Sequence, residues 1–430
     1  MRILYERCCG LDIHKVSIAV CVVITRDGKT EEETRRFGTM TADLLELAAW
    51  LKARGIQHVA MESTGVYWKP VWNILEAEGF DLLANAQEVK IMPGRKTDQK
   101  DSQWIADLHQ HGLLRKSFVP PRLVRDLTRT RATLAQDHSS TCNRIQKVLE
   151  DANIKLGSVA SDVFGASGRA MLLAMMKGES NAEALAELSK GRLRHKIPEL
   201  RRALEGRVTG HHRFLMDRHW RQMETLENQM RQFEEEIAER MKPTAEEIAR
   251  MRESLPADAP LPPSPREEAI LLWMELPGVG LTTACSMVAE LGVNMEQFPT
   301  SAHVASWAAL CPCNNESAGK RMSGKTRKGN VWLRRTMCEA AWAAAHSKNT
   351  YFAAQFGRIA ARRGKKRALL AVAHSLLVVA YEMLKHKQHY RELGADFFDG
   401  LNKDQVKRRL VQRLAKLGFQ VTVTKAPTAE

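Results

Sequence analysis

The sequence predicts an α/β amino-terminal domain followed by a longer, mainly helical and basic remainder. Three observations predict it. Three consecutive strand-like segments lie near the start, helix and strand patterns then alternate to about residue 111, and beyond Pro120-Pro121 the periodicity turns helical with recurring Lys and Arg.

From Cys8 to Gly38 the segments "CCGLDIH", "SIAVCVVIT" and "EEETRRFGT" read as antiparallel strands, the last two joined by the turn Arg26-Asp27-Gly28-Lys29. Thr41 to Arg54 has helical periodicity behind a Thr41 cap, "HVAMES" is a short apolar strand, and Tyr67 to Gly79 is a helix stopped by glycine. "FDLLANA" is a further strand, and a last helix runs from about Thr97 to His111. Three strands followed by alternating helices and strands is the element order of a ribonuclease-H-like α/β domain, whose central strand serves as a platform for metal-binding carboxylates.

Arg122, Arg125, Arg129, Arg131, Arg144 and Lys147 recur along a predicted helix to about Asn153, as a solvated face or a polyanion surface. Between Phe214 and Arg240, Met216, Met223, Leu226, Met230, Phe233 and Ile237 form a seam interrupted by His219, which predicts a helical hairpin or short coiled coil. The run "KPTAEEIARMRESLPADAPLPPSPREE" (Lys242 to Glu268), with five prolines between Pro256 and Pro265, marks a linker, with a new domain from about Glu267. The expected organisation is 1–120, 121–266, 267–400 and a basic tail over 401–430.

A net charge of +15 on 430 residues, 44% of them hydrophobic and 27% charged, describes a globular protein that needs a polyanionic partner. Nucleic acid comes first. A membrane is disfavoured, because Met1 to Gly10 has no apolar run and Ala368 to Leu384, interrupted by His374, Ser375 and Glu382, reads as a buried helix. The eight cysteines lack paired CxxC spacing and read as reduced cytosolic thiols, so a cytoplasmic, nucleoid-associated location is expected.

Four acids carry the candidate chemistry. Asp12 lies in the first strand, Glu62 ends a later one, and Asp98 and Asp101 share a face near the start of the last α/β helix. Each alone could be a cap or surface charge. Together they form an oxygen-ligand set suited to Mg²⁺ and phosphoryl transfer, since acids in apolar strands are costly unless paired or metallated.

In the second half, "LPGVGLTTACSMVAELG" (Leu276 to Gly292) reads as a helix-hairpin-helix-like segment or as an ordinary structural turn. Ser317 to Arg367 holds fourteen Lys or Arg against one acid, Glu339. Lys320, Arg321, Lys325, Arg327, Lys328 and Arg334 are its candidate phosphate ligands. Gly319 to Thr326 satisfies the P-loop expression, but "CPCNNESA" before it and "RKGNVW" after it are not the strand and helix that motif requires.

Together "GLDIHK", "MESTGVYW", "KTDQKDSQWIADL", "IKLGSVASDVFGASGRAML", "LPGVGLTTA", "ASWAALCPCNNESAGKR" and "KGNVWLRRTMCEAAWAA" resemble the DEDD-type insertion-sequence transposases of family one hundred and ten. The resemblance spans nearly the whole chain. It implies a RuvC-like domain carrying the acid quartet with Mg²⁺, a coiled-coil linker and a transposase domain supplying a nucleophilic serine. That serine is Ser317, with Ser323 in the same loop as the alternative. It also implies a serine–DNA covalent intermediate, double-stranded donor and target DNA, a bridge RNA guide, and a homo-oligomer, dimer or tetramer, that completes a composite site. Two other readings stay open: a RuvC-like metal-dependent nuclease using water, and a non-catalytic nucleic-acid-binding scaffold.

Overall fold

The computed structural model describes residues 3–62, 65–84, 98–114, 122–253, 255–256, 259–312, 315–317, 320–323, 326, 329–401 and 403–424. The chain divides into two compact units, Met1–Val119 and Pro120–Glu430.

In the first unit β1 (Arg7–Ile13), β2 (Ile18–Arg26) and β3 (Lys29–Phe37) form an antiparallel meander, and β4 (His58–Met61) and β5 (Asp81–Ala84) add parallel to β1, giving the order β3-β2-β1-β4-β5. The β2–β3 turn carries Asp27 at φ 50° and Gly28 at φ 75°, the paired positive values of a tight hairpin turn. β3 is charged and exposed along almost its whole length, which suits an edge strand.

The helices are α1 (Thr41–Ala53), α2 (Trp68–Ala77) and α3 (Asp98–Gln110). The strand alternation sorts them onto two faces. Cys9 and Leu11 of β1 point into the core made with α1 and α2, whereas Cys8 packs with Cys21, Val23 and Ala106 of α3. Thr41 is the first helical residue of α1 and not its cap. Met40 holds the cap position, where its backbone N–H donates to Asp43 Oδ2 at 3.1 Å.

The second unit opens with α4 (Arg122–Asp151), followed by the short helices α5 (Leu156–Val159), α6 (Ala166–Met176), α7 (Ala182–Glu187) and α8 (Ile197–Leu204) and the long α9 (Gly210–Met241). α4 and α9 run antiparallel: Arg131 pairs with Glu234 at 2.6 Å, His138 with Glu227 at 3.0 Å, and Cys142 meets Met223 at 3.7 Å. Trp220, which the predicted seam omits, is buried one residue after His219. Leucines and methionines of α6 to α8 close the core against this pair.

Within the predicted linker, α10 (Ala245–Glu253) forms behind a reciprocal pair of bonds: Glu247 N–H donates to Thr244 Oγ1 at 3.2 Å, and Thr244 N–H donates to Glu247 Oε2 at 2.8 Å. α11 (Pro265–Met274) starts on a Ser264–Glu267 capping box. Then come α12 (Leu281–Leu291), α13 (Ser301–Trp307), the hairpin β6 (Asn315–Ser317) and β7 (Lys320–Ser323), α14 (Val331–Ala345), α15 (Tyr351–Arg363), α16 (Lys365–His386), α17 (Phe397–Leu401) and α18 (Lys403–Lys416). Among the described residues α16 alone is long and apolar enough to cross a membrane, yet Ala368, Val372, Leu376, Leu377 and Ala380 are buried and Tyr381 Oη donates to the Phe298 carbonyl at 2.8 Å.

Candidate active site

The acids are positioned by the register of β1 against α3. Cys8 Sγ lies 3.6 Å from the Ala106 carbonyl. Two residues on, Gly10 faces the same helix so closely that a Cβ would stand 2.3 Å from Ser102 O and 2.4 Å from Ala106 N. Two residues of strand advance about 6.6 Å, which matches roughly four residues of helix at 1.5 Å each. One more such step brings Asp12 level with the first turn of α3, where Asp98 and Asp101 lie.

The second strand follows by pairing. Leu11 of β1 is in register with Met61 of β4, so Glu62, immediately after β4, comes beside Asp12 at the carboxyl ends of two parallel strands. The carboxylates feel one another. Burial pushes the Asp12 pKa above its ordinary value, and the charges of Asp101 and Glu62 add to the rise, while His14 opposes it.

Asp12 is only 7% exposed, so its charge is costly unless compensated. His14 Nε2 lies 3.0 Å from Asp12 Oδ2 and offsets part of its charge, and among the described residues that buried oxygen has no further partner. A buried carboxylate beside two further carboxylates, with one histidine to offset them, fits a hard divalent cation, which takes oxygen ligands. Among the described residues no three side chains already form a metal-binding group. The side chain of Asp98, the first residue of α3, lies outside the described residues.

Two contributors escaped the sequence reading. His14 was legible as strand spacing, being two residues beyond Asp12 and directed to the same face. Gly10 carried no chemical mark, because its role is the absence of a Cβ.

The second unit treats its predicted ligands differently. Arg129 donates to both carboxylate oxygens of buried Glu290, at 2.6 and 2.8 Å, Arg131 is paired with Glu234, and Arg125 is buried. Arg129 and Arg131 hold α4 to α12 and α9. Ser317 and Lys320 are backbone partners across the β6–β7 hairpin, and Arg321 pairs with Glu316. The hairpin's side chains, and all of Lys325, Arg327 and Lys328, lie outside the described residues. Arg334 is half-buried on α14. Strand β7 occupies the middle of the phosphate-loop expression. In the hairpin-like segment, Gly278 at φ 83° lies where a Cβ would stand 2.6 Å from Ala344 N, so the turn's glycine receives α14.

Residues 9–154 match a family model described as a transposase, of the DEDD type of IS110. Residues 271–357 match the model of the transposase IS116/IS110/IS902 family. A Streptomyces coelicolor protein named insertion element IS110 uncharacterized 43.6 kDa protein is 34% identical over 120 residues, 27% of this chain and 28% of that relative. The alignment thus spans little more than a quarter of the relative's length.

The serine–DNA intermediate expected at Ser317 is corrected by these matches. A DEDD domain points to a RuvC-like nuclease working through its acids, and neither match supports a covalent serine link. With the DEDD domain and the second transposase domain in order on one chain, the protein belongs to the IS110 family of transposases.

Proposed function

We propose that this protein is a metal-dependent DNA transposase that cuts phosphodiester bonds at Asp12, Glu62, Asp98 and Asp101. The observation that carries the reading is the buried Asp12 carboxylate, flanked by Asp101 and Glu62 and, among the described residues, met only by His14. The four acids would hold Mg²⁺, which when bound supplies charge neutralisation at the scissile phosphate and an activated water. Asp12, on the central strand, fixes the position of the set. His14 limits the electrostatic cost of Asp12 before substrate arrives. α3 presents Asp98 and Asp101 from a rigid element packed backbone to backbone on β1.

The basic second unit would hold the DNA backbone through Lys320, Arg321, Lys325, Arg327, Lys328 and Arg334, with water as the nucleophile. The turn at Gly278 serves packing on α14, which favours a structural role for the hairpin-like segment. A guide RNA and a homo-oligomer are supported by the resemblance alone.

The test is cleavage of DNA bearing the element's ends. With Mg²⁺ the protein should nick it, and Asp12→Asn and Asp101→Asn should each reduce the rate roughly a hundredfold or more while DNA binding persists. No protein–DNA species should survive denaturation. Unchanged cleavage in both variants would leave a nucleic-acid-binding scaffold as the reading.

A further inference from the structure

Trp342 stands on α14 with 50% of its surface exposed, an uncommon position for so large an apolar side chain. It is propped there. The His346 ring lies 4.4 Å away at 48°, and the Phe356 ring of α15 lies 6.4 Å away, nearly perpendicular at 84°. His346 is itself fixed, because its Nδ1–H donates to the Trp342 carbonyl at 2.7 Å. These contacts order the indole without burying it.

Charge lies farther along the same side of α15. Phe356 and Arg363 are seven residues apart on α15, so they share a side of the helix about 10 Å apart. Arg363 belongs to the corner Arg362-Arg363-Gly364-Lys365-Lys366-Arg367, where Gly364 at φ 81° turns α15 into α16. All five cations are exposed, and among the described residues none forms an ion pair. The acid nearest Trp342 on its own helix, Glu339, is paired with Arg335 at 3.0 Å. Elsewhere on this unit Arg129 and Arg131 of α4 find carboxylates in Glu290 and Glu234; among the described residues the cations of this corner find none.

An apolar protein surface would satisfy the indole and strand the cations. A closed duplex would satisfy the cations and offer the indole no base face. An unstacked base with its own phosphates satisfies both. We propose that Trp342, backed by His346 and Phe356, is a stacking platform for an unpaired base of single-stranded DNA whose phosphates run to the Arg363–Arg367 corner. Strand cutting supplies such DNA, and to that extent the inference rests on the function proposed above.

The experiment measures binding of labelled oligo-dT, oligo-U and a paired duplex of equal length to the full chain in EDTA. Cleavage is then absent, and failure of the acid site cannot affect the result. Trp342→Ala should weaken oligo-dT binding about tenfold and leave the duplex unchanged, with Trp342→Phe restoring most of the loss. Replacing Arg363, Lys366 and Arg367 together by Ala should reduce the salt slope for oligo-dT by about 2. The proposal is overturned if Trp342→Ala binds oligo-dT as the parent does, if it loses duplex binding equally, or if the Trp342-dependent ligand is oligo-U in preference to oligo-dT.

Discussion

Gly10 and Ala106 meet backbone to backbone: a Cβ on Gly10 would stand 2.4 Å from the Ala106 nitrogen and 2.3 Å from the Ser102 carbonyl oxygen. The contact sets the height of α3 over β1, and with it the distance from Asp101 to Asp12. Gly10→Ala should therefore push the helix away. We expect a loss of about 1–3 kcal/mol of stability, typical of overpacking, and cleavage reduced on the order of a hundredfold by displacement of the acids. DNA binding should stay near the parent value. Parental cleavage by a folded Gly10→Ala protein would show that the acids do not depend on this register.

Asp12 offers a separate test, because a buried charge kept for chemistry burdens the fold. Burial and the neighbouring acids raise its pKa against the opposing charge of His14, so holding the carboxylate ionised costs the folded chain more than the unfolded one. Asp12→Asn should raise the unfolding free energy by about 1 kcal/mol while abolishing cleavage. Mg²⁺ should raise the melting temperature of the parent and not that of the variant. A destabilised Asp12→Asn protein would argue for a structural acid.

The sheet was legible because each of its signals is local. Alternating apolar residues, Asp27-Gly28 in the turn and Gly79 after α2 each act within a few positions of the structure they dictate. Distant partners were not legible. Arg129 and Arg131 look like phosphate ligands until Glu290 and Glu234, more than a hundred residues away, are found holding them. Of the quartet, the sequence shows four acids on suitable elements; the register that brings Asp12, Glu62 and Asp101 together comes from Gly10 and the Leu11–Met61 pairing. The serine–DNA intermediate was overturned for another reason: a hydroxyl in a basic loop has no local mark separating a nucleophile from an ordinary serine.

His109 makes the first unit acid-sensitive. It is 3% exposed, neither ring nitrogen has a hydrogen-bond partner among the described residues, and the Tyr5 ring lies tilted against it with centroids 4.8 Å apart. Burial, assisted by the charge of His58, lowers its pKa to about 4. The unfolded chain takes up this proton near pH 6.5 and the native state only near pH 4, so stability is full above pH 6.5 and falls as the pH drops toward 4. The loss is about 3 kcal/mol. Urea unfolding at several pH values should show this slope in the parent and a flatter one in His109→Phe. Equal slopes would assign the acid sensitivity elsewhere.

Glu290 is the corresponding weak point of the second unit. At 2% exposure it accepts two hydrogen bonds from Arg129 and a third from Asn330 Nδ2 at 2.5 Å, and Asn330 Oδ1 in turn caps α14 through Trp332 N–H at 3.0 Å and Leu333 N–H at 3.1 Å. One carboxylate therefore joins α4, α12 and the start of the helix that carries Arg334. Glu290→Ala leaves Arg129 without its partner, and removal of one member of a buried pair costs about 3–5 kcal/mol. Replacing both, with Arg129→Met and Glu290→Leu, should recover much of that loss, since the penalty lies in the stranded charge. DNA affinity should follow the same order, weakest in Glu290→Ala, because α14 loses its anchored cap. If Glu290→Ala unfolds within about 1 kcal/mol of the parent, the pair behaves like a surface ion pair, and the junction must be held by the apolar contacts around it.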